Sequence, residues 1–189
     1  MNSHGLRLTK GTTVVSLVDG AAIGAVERVY LDPTRKEIVG FTVHKGGFFG
    51  GTMVGLVEVG DVHAFGPDAV TIEDAAAIRS EFAVGARRDD LIELSSLVGR
   101  KVVTEDGVAL GSVAGVRFGE ESFRLLALDV SPGPLQEHHE VAGAAVATIG
   151  DDLIVVAEER AAAETGARPV PDRLVYVVEP EGAGRRLAG

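Results

Sequence analysis

The chain states one pattern twice, and a sequence built that way folds as two similar small units more readily than as one irregular domain. Val14-Val15, Asp19-Gly20, Gly24, Val26, Val29, Leu31 and the run Val39 to Val43 return as Val102-Val103, Asp106-Gly107, Gly111, Val113, Val116, Phe118 and the run Leu126 to Val130. From Asp19 to Val43 the correspondence runs without a gap at a constant offset of 87. The spacing predicts a first repeat over 6–84, a linker over 85–93, a second repeat with an extra C-terminal strand over 94–180, and a tail over 181–189. Units of about 75 residues bury a modest fraction of their surface, so the two are expected to lean on each other or on a partner.

Both copies read as strands. Thr12 to Leu17 and Gly24 to Leu31 are rich in β-branched and apolar residues and flank an Asp-Gly hairpin tip. Along the second strand the inward residues are spaced three and then two, Val26, Val29, Leu31, and the second copy repeats the break as Val113, Val116, Phe118. A regular strand keeps a spacing of two, so a β-bulge is expected at Glu27-Arg28 and at Ala114-Gly115. Val39, Phe41 and Val43 then alternate with Gly40 and Thr42, as Leu126, Leu128 and Val130 alternate with Ala127 and Asp129, which predicts that the first-named set faces inward. Asp74 is placed to cap a short helix through Ser80, and Glu158 to Thr165 reads as one or two further helical turns. Leu174 to Val178 is a strand outside the repeat, closing the second unit or pairing with the first. The fold class expected is mainly β: two tandem small antiparallel barrels with short helices in the linker and near the C-terminus.

Composition narrows the function. The net charge of −10 repels phosphate backbones unless a basic face is segregated, and the adjacent basic pairs are few, so nucleic acid is not expected to be bound directly. No cysteine is present, which removes disulfides, thiolate metal sites and cysteine nucleophiles. The longest apolar runs are far short of a membrane span and the N-terminus has no signal-peptide pattern, so no transmembrane segment and a cytoplasmic location are expected.

Gly11 to Val15, the Asp-Gly tip, Gly24-x-Val26-x-x-Val29-x-Leu31-Asp32, the strand from Ile38 to Val43, and the closing Gly-Pro-Asp-Ala-Val strand together resemble the PRC-barrel family; Leu94 through Val156 resembles it again. The resemblance implies a small, mainly antiparallel β-barrel in each half. It is similar to the cytoplasmic part of the photosynthetic reaction-centre H subunit and to the C-terminal half of a ribosome maturation factor, interaction or regulatory modules without shared catalysis. The membrane helix of the first and the different N-terminal domain of the second have no counterpart in this sequence, so neither role transfers.

The candidate residues for chemistry are few. His138-His139-Glu140 is the one local cluster of metal-ligand atoms, but neighbours in a strand point to opposite faces, and a solvated loop explains the pair better than an ion does. Ser95-Ser96, Asp89-Asp90 and Asp151-Asp152 form no nucleophile constellation, and no catalytic residue, cofactor or metal is assigned. Gly46-Gly47-Phe48-Phe49-Gly50-Gly51 lacks the lysine and following helix of a phosphate loop, whereas two large aromatics between glycines suit a plug for the barrel end or a contact for a partner. The expected function is a non-enzymatic protein-interaction or assembly module, with a protein partner or a second copy of the chain bound through Phe48 and Phe49. The alternatives are an accessory factor in ribosome or RNA processing, and a small-molecule or metal sensor using a barrel mouth.

Overall fold

Two sheets follow the same path. The computed structural model describes residues 10–47, 50–66, 68–81, 90–119, 121–133 and 136–157, and the backbone of 173–176. In sheet A, β1 (Thr13–Ser16), β2 (Ala22–Asp32), β3 (Glu37–Gly47), β4 (Gly50–Glu58), β5 (Val62–Phe65) and β6 (Ala69–Ile72) are ordered β4-β3-β2-β1-β6-β5, with β7 (Ile92–Glu93) added to β2. Sheet B orders β8 (Lys101–Thr104), β9 (Ala109–Gly119), β10 (Leu125–Ser131), β11 (His139–Ala142), β12 (Val146–Ile149) and β13 (Leu153–Val156) as β11-β10-β9-β8-β13-β12, with β14 (Arg173–Tyr176) added to β9. The C-terminal strand therefore joins the second sheet. The helical segment expected at 158–165 and the tail lie outside the described residues, and Asp74 caps a single 3-10 turn, Ala75–Ala77, by accepting from the Ala76 N–H.

Pairing is mainly antiparallel, with one parallel pair in each sheet: β1 and β6 run parallel, as do β8 and β13. The cause is the 3-10 turn Val59–Asp61, after which β5 continues in the sense of β4 rather than reversing, so the β5–β6 hairpin returns alongside β1 in the same direction. The turn Gly143–Ala145 does the same in sheet B. Among the described residues no ladder joins β4 to β5 or β11 to β12, and each sheet stays open along that seam.

Bulges fix the curvature. Residues passed over at matching places in the two pairing registers are Ile23, Glu27, Val39 and His63 in sheet A and Leu110, Ala114, Leu126 and Ala147 in sheet B; sheet A passes over Val54 as well. Each extra residue bends its strand and increases its twist. The bulges at Val39 and Leu126 also overturn the inward assignment of those two side chains: Leu126 is 40% exposed and Val39 half-buried, while Ile38 and Leu125 take the core positions. Val26, Val29, Leu31, Phe41, Val113, Val116, Phe118 and Leu128 are all buried, and the buried apolar residues of both sheets form one cluster.

The sheets meet across an approximate two-fold relation. Ile38 N–H donates to Phe123 O and Leu125 N–H donates to Lys36 O, both at 2.8 Å, forming an antiparallel bridge between Glu37 and Arg124. These residues lie at the repeat offset of 87, so the bridge pairs a position with its own counterpart. Lys36 and Phe123, also counterparts, share a left-handed backbone (φ 57° and 54°) and send their side chains across in exchange: the Lys36 ammonium donates to Val146 O, and the Phe123 ring lies 5.4 Å from that of Phe65. A tilted ring pair is worth about 0.5–1.5 kcal/mol beyond the area it buries. Phe123→Ala is accordingly expected to lower the unfolding free energy by about 1–2 kcal/mol. Chemical denaturation checks this, and an unchanged midpoint would show that the rings add nothing to the contact.

The segment opening the second half completes the junction. β7 pairs with β2 at Leu31 and Tyr30, the turn Leu94–Leu97 packs against β2, and both of its leucines are fully buried. Glu93 Oε2 lies 3.7 Å from Arg28 Nε. Ile92 and Glu93, expected as part of the linker, are thus a strand of sheet A.

Candidate interaction surface

The two sheets differ most at one hairpin. β10 ends at Ser131 and β11 starts at His139, with Pro132 and Pro134 between them. β3 and β4 instead continue past the shared pairing of Val43 with Gly55, through His44 with Met53, Lys45 with Thr52, Gly46 with Gly51, and Gly47 with Gly50. Proline lacks the N–H a ladder needs, which explains the early end in sheet B. Phe48 and Phe49, the residues expected to meet a partner, follow Gly47 and lie outside the described residues.

Around that extension the surface is apolar and weakly guarded. Met53 is 45% and Val54 40% exposed, Val54 being the residue passed over between Gly55 and Met53. No residue from Gly46 to Gly55 carries a charge. β4 ends the strand order, and among the described residues its outer side takes only the bridge at Leu56, where Leu56 and Arg79 exchange backbone bonds of 2.8 Å. An edge without charge or proline is a template for pairing with another chain.

The base of the hairpin is held tightly. A Cβ on Gly55 would stand 2.5 Å from Ile78 Cγ2 and 2.6 Å from Arg79 O, so only glycine lets the 78–79 segment close on β4. Arg79 then places its guanidinium 3.0 Å from Asp61 Oδ2 and 3.6 Å from Glu58 Oε2. His44 Nε2 lies 3.5 Å from Glu27 Oε2, on the bulge that bends β2.

Several polar groups elsewhere are engaged in structural contacts. An open groove of about 710 Å³ is lined by Leu17, Val18, Asp61, His63, Asp74 and Arg79 among others, but Asp61 serves Arg79 and Asp74 caps its turn. Beside it, the exposed Asp19 carboxyl is held below its usual range by a hydrogen bond from Ser16 and then by the Ala21 N–H. Ser95 donates to Glu93 Oε1 and Ser96 to Glu93 O, which ties both to the junction turn. Arg117 pairs with Asp129 and Glu140 across β9, β10 and β11. His138 and His139 are both exposed, and His44 and His63 stand in different surroundings. Among the described residues no group of three histidine or carboxylate side chains is placed to hold a metal, and no helix is long and apolar enough to cross a membrane.

The sequence singled out the hairpin through the two aromatics but missed Met53 and Val54. Their signal was present: a run without charge next to the insertion, ending at Gly55, the residue that admits the close approach of the 78–79 segment.

No curated protein matches the chain. The PRC-barrel domain model matches residues 89–160, which contain the junction segment and the whole path from β8 to β13, in one domain. With the strand order and the apolar register of sheet B described above, residues 89–160 are similar to a PRC-barrel domain.

Proposed function

We propose that the chain is a non-enzymatic interaction module of two PRC-type units, residues 10–81 being the second, and that it holds a protein partner along the outer half of the β3–β4 hairpin. What supports the first part is the shared strand order and the matching bulge positions of the two sheets. The observation that carries the second is the uncharged, partly apolar edge of β4, present in one unit and replaced by a proline-bearing loop in the other. Framework common to both units is accounted for by folding, so material added to one of them is where a role is placed, and binding roles favour loops and edges on a rigid scaffold. The partner adds a strand to β4 and covers Met53, Val54 and the Phe48-Phe49 tip. A cytoplasmic location accompanies this reading, as do the absence of bound cofactor and of direct nucleic-acid contact at a net charge of −10.

The test compares the wild-type chain with two variants, Met53→Lys with Val54→Lys, and Phe48→Ser with Phe49→Ser. Proteins recovered from the native host by the immobilised wild-type chain are expected to be lost by both variants, since a central anchor carries about 2 kcal/mol or more of binding, roughly 30-fold in affinity. Thermal midpoints should change little, because Met53 and Val54 lie at the surface, 45% and 40% exposed. Recovery of the same proteins by wild type and variants would place the contact elsewhere; variants that unfold readily while recovery per folded molecule is unchanged would make the tip a plug.

A further inference from the structure

The long strand of each sheet changes partner halfway. β2 pairs with β1 from Ala22 to Ala25 and then, beyond the bulge at Glu27, offers the same side to β7 at Tyr30 and Leu31. β9 pairs with β8 from Ala109 to Ser112 and, beyond the bulge at Ala114, offers that side to β14 from Val116 to Gly119. Tyr30 and Leu31 correspond to Arg117 and Phe118 at the offset of 87, so the two slots are equivalent. Both exist because β1 and β8 span four residues while β2 and β9 span eleven, which leaves half of each long strand without a neighbour from its own path.

The slots are filled in unlike ways. β7 runs directly into the turn whose Leu94 and Leu97 are fully buried, and so is anchored in place. Among the described residues β14 pairs with β9 alone, and it is joined to Val156 by residues 157–172. A connection of that length reaches about 50 Å when extended, enough for the slot of a neighbouring molecule. We propose that the side of β9 from Val116 to Gly119 is an exchangeable strand-acceptor site, and that besides its own β14 it takes the β14 of a second copy, giving a reciprocal dimer. The contacts in the two forms are identical, so the balance depends on protein concentration against the effective concentration set by the tether, on the order of 1 mM. This site lies apart from the β3–β4 hairpin and does not depend on it.

The chain contains no cysteine, so introduced cysteines report unambiguously. Arg117 and Val175 are register partners. The full-length Arg117→Cys/Val175→Cys chain is expected to close a bond within one molecule at low concentration. An equimolar mixture of Arg117→Cys and Val175→Cys chains, oxidised mildly near 1 mM, is expected to give a covalent dimer whose peptide map contains the 117–175 bridge. In the unmodified chain, sedimentation should show a dimer that grows with concentration and is reduced by an excess of a synthetic peptide of residues 171–178. The proposal fails if the mixture forms no 117–175 bridge while the double variant closes internally, if the double variant closes in neither way, or if the peptide leaves the dimer untouched.

Discussion

Gly143→Ala is expected to lower the thermal midpoint by about 6–12 °C, or to leave sheet B unfolded, which would make it one of the most damaging single methyl groups that can be added to this protein. A Cβ there would lie 2.0 Å from Leu125 O, 2.7 Å from Leu125 C and 3.1 Å from Leu126 C. All three atoms are backbone of β10, which is bonded on one side to β9 and on the other to β11, so the obstacle cannot rotate away. Leu125 N–H is also the donor to Lys36 O, so displacing this residue strains the bridge between the sheets as well. Overpacking of this kind costs about 3 kcal/mol or more when the neighbour is fixed. Gly60→Ala, in the corresponding turn of sheet A, meets nothing within 4 Å and should leave the midpoint in place. Equal effects at the two positions, read by calorimetry, would mean that the close approach at Gly143 does not hold in solution.

Phe41→Ala should cost about 3–5 kcal/mol, since the ring is fully buried and nothing on the surface replaces the contacts it loses. The counterpart of Phe41 is Leu128, and the counterpart of Phe118 is Leu31, so at this pair of positions each sheet buries one phenylalanine and one leucine, exchanged. Interiors are packed closely enough that total volume is conserved more strictly than position. Phe41→Leu alone and Leu31→Phe alone are therefore each expected to destabilise, the first by leaving a void and the second by crowding. The double exchange, which reproduces the arrangement of sheet B inside sheet A, should recover a coupling of about 1–3 kcal/mol relative to the sum. Urea unfolding of the four chains measures it, and strict additivity would show that the two side chains fill separate spaces.

The sequence was most informative where side-chain chemistry alternates with position. The spacing of Val26, Val29 and Leu31 revealed the bulge at Glu27 because the extra residue left a mark in the apolar phase. The second bulge left none: Val39 and Leu126 are apolar, as are Ile38 and Leu125 beside them, so the phase slip passes between residues of the same kind. The parallel return of β6 beside β1 was also invisible, because strand direction is decided by the turn Val59–Asp61 and alternation is the same whichever way a strand runs. Asp74 was legible as a cap, but the helix after it stops at Ala77 because the chain turns extended at Ile78 and Arg79 is bonded to Leu56. At the hairpin, two aromatics between glycines drew the eye, whereas the openness of the β4 edge depends on where the 78–79 segment docks, a long-range contact that no local pattern encodes.

The bridge between Glu37 and Arg124 has a bearing on which surfaces can meet. A contact that pairs a position with its own equivalent would, between two identical molecules, set a residue against itself, and any ionised side chain there would face a like charge. Joining both halves in one chain lifts that restriction, and the opportunity has been taken: Arg124 Nε lies 3.6 Å from Glu37 Oε2. At a pair this exposed the attraction is small, and the discrimination lies in the mismatched pairings. A first half meeting another first half by this route would bring two glutamates together, and a second half meeting another second half would bring two arginines together, so the junction rejects both homotypic unions and keeps each half for its own covalent neighbour.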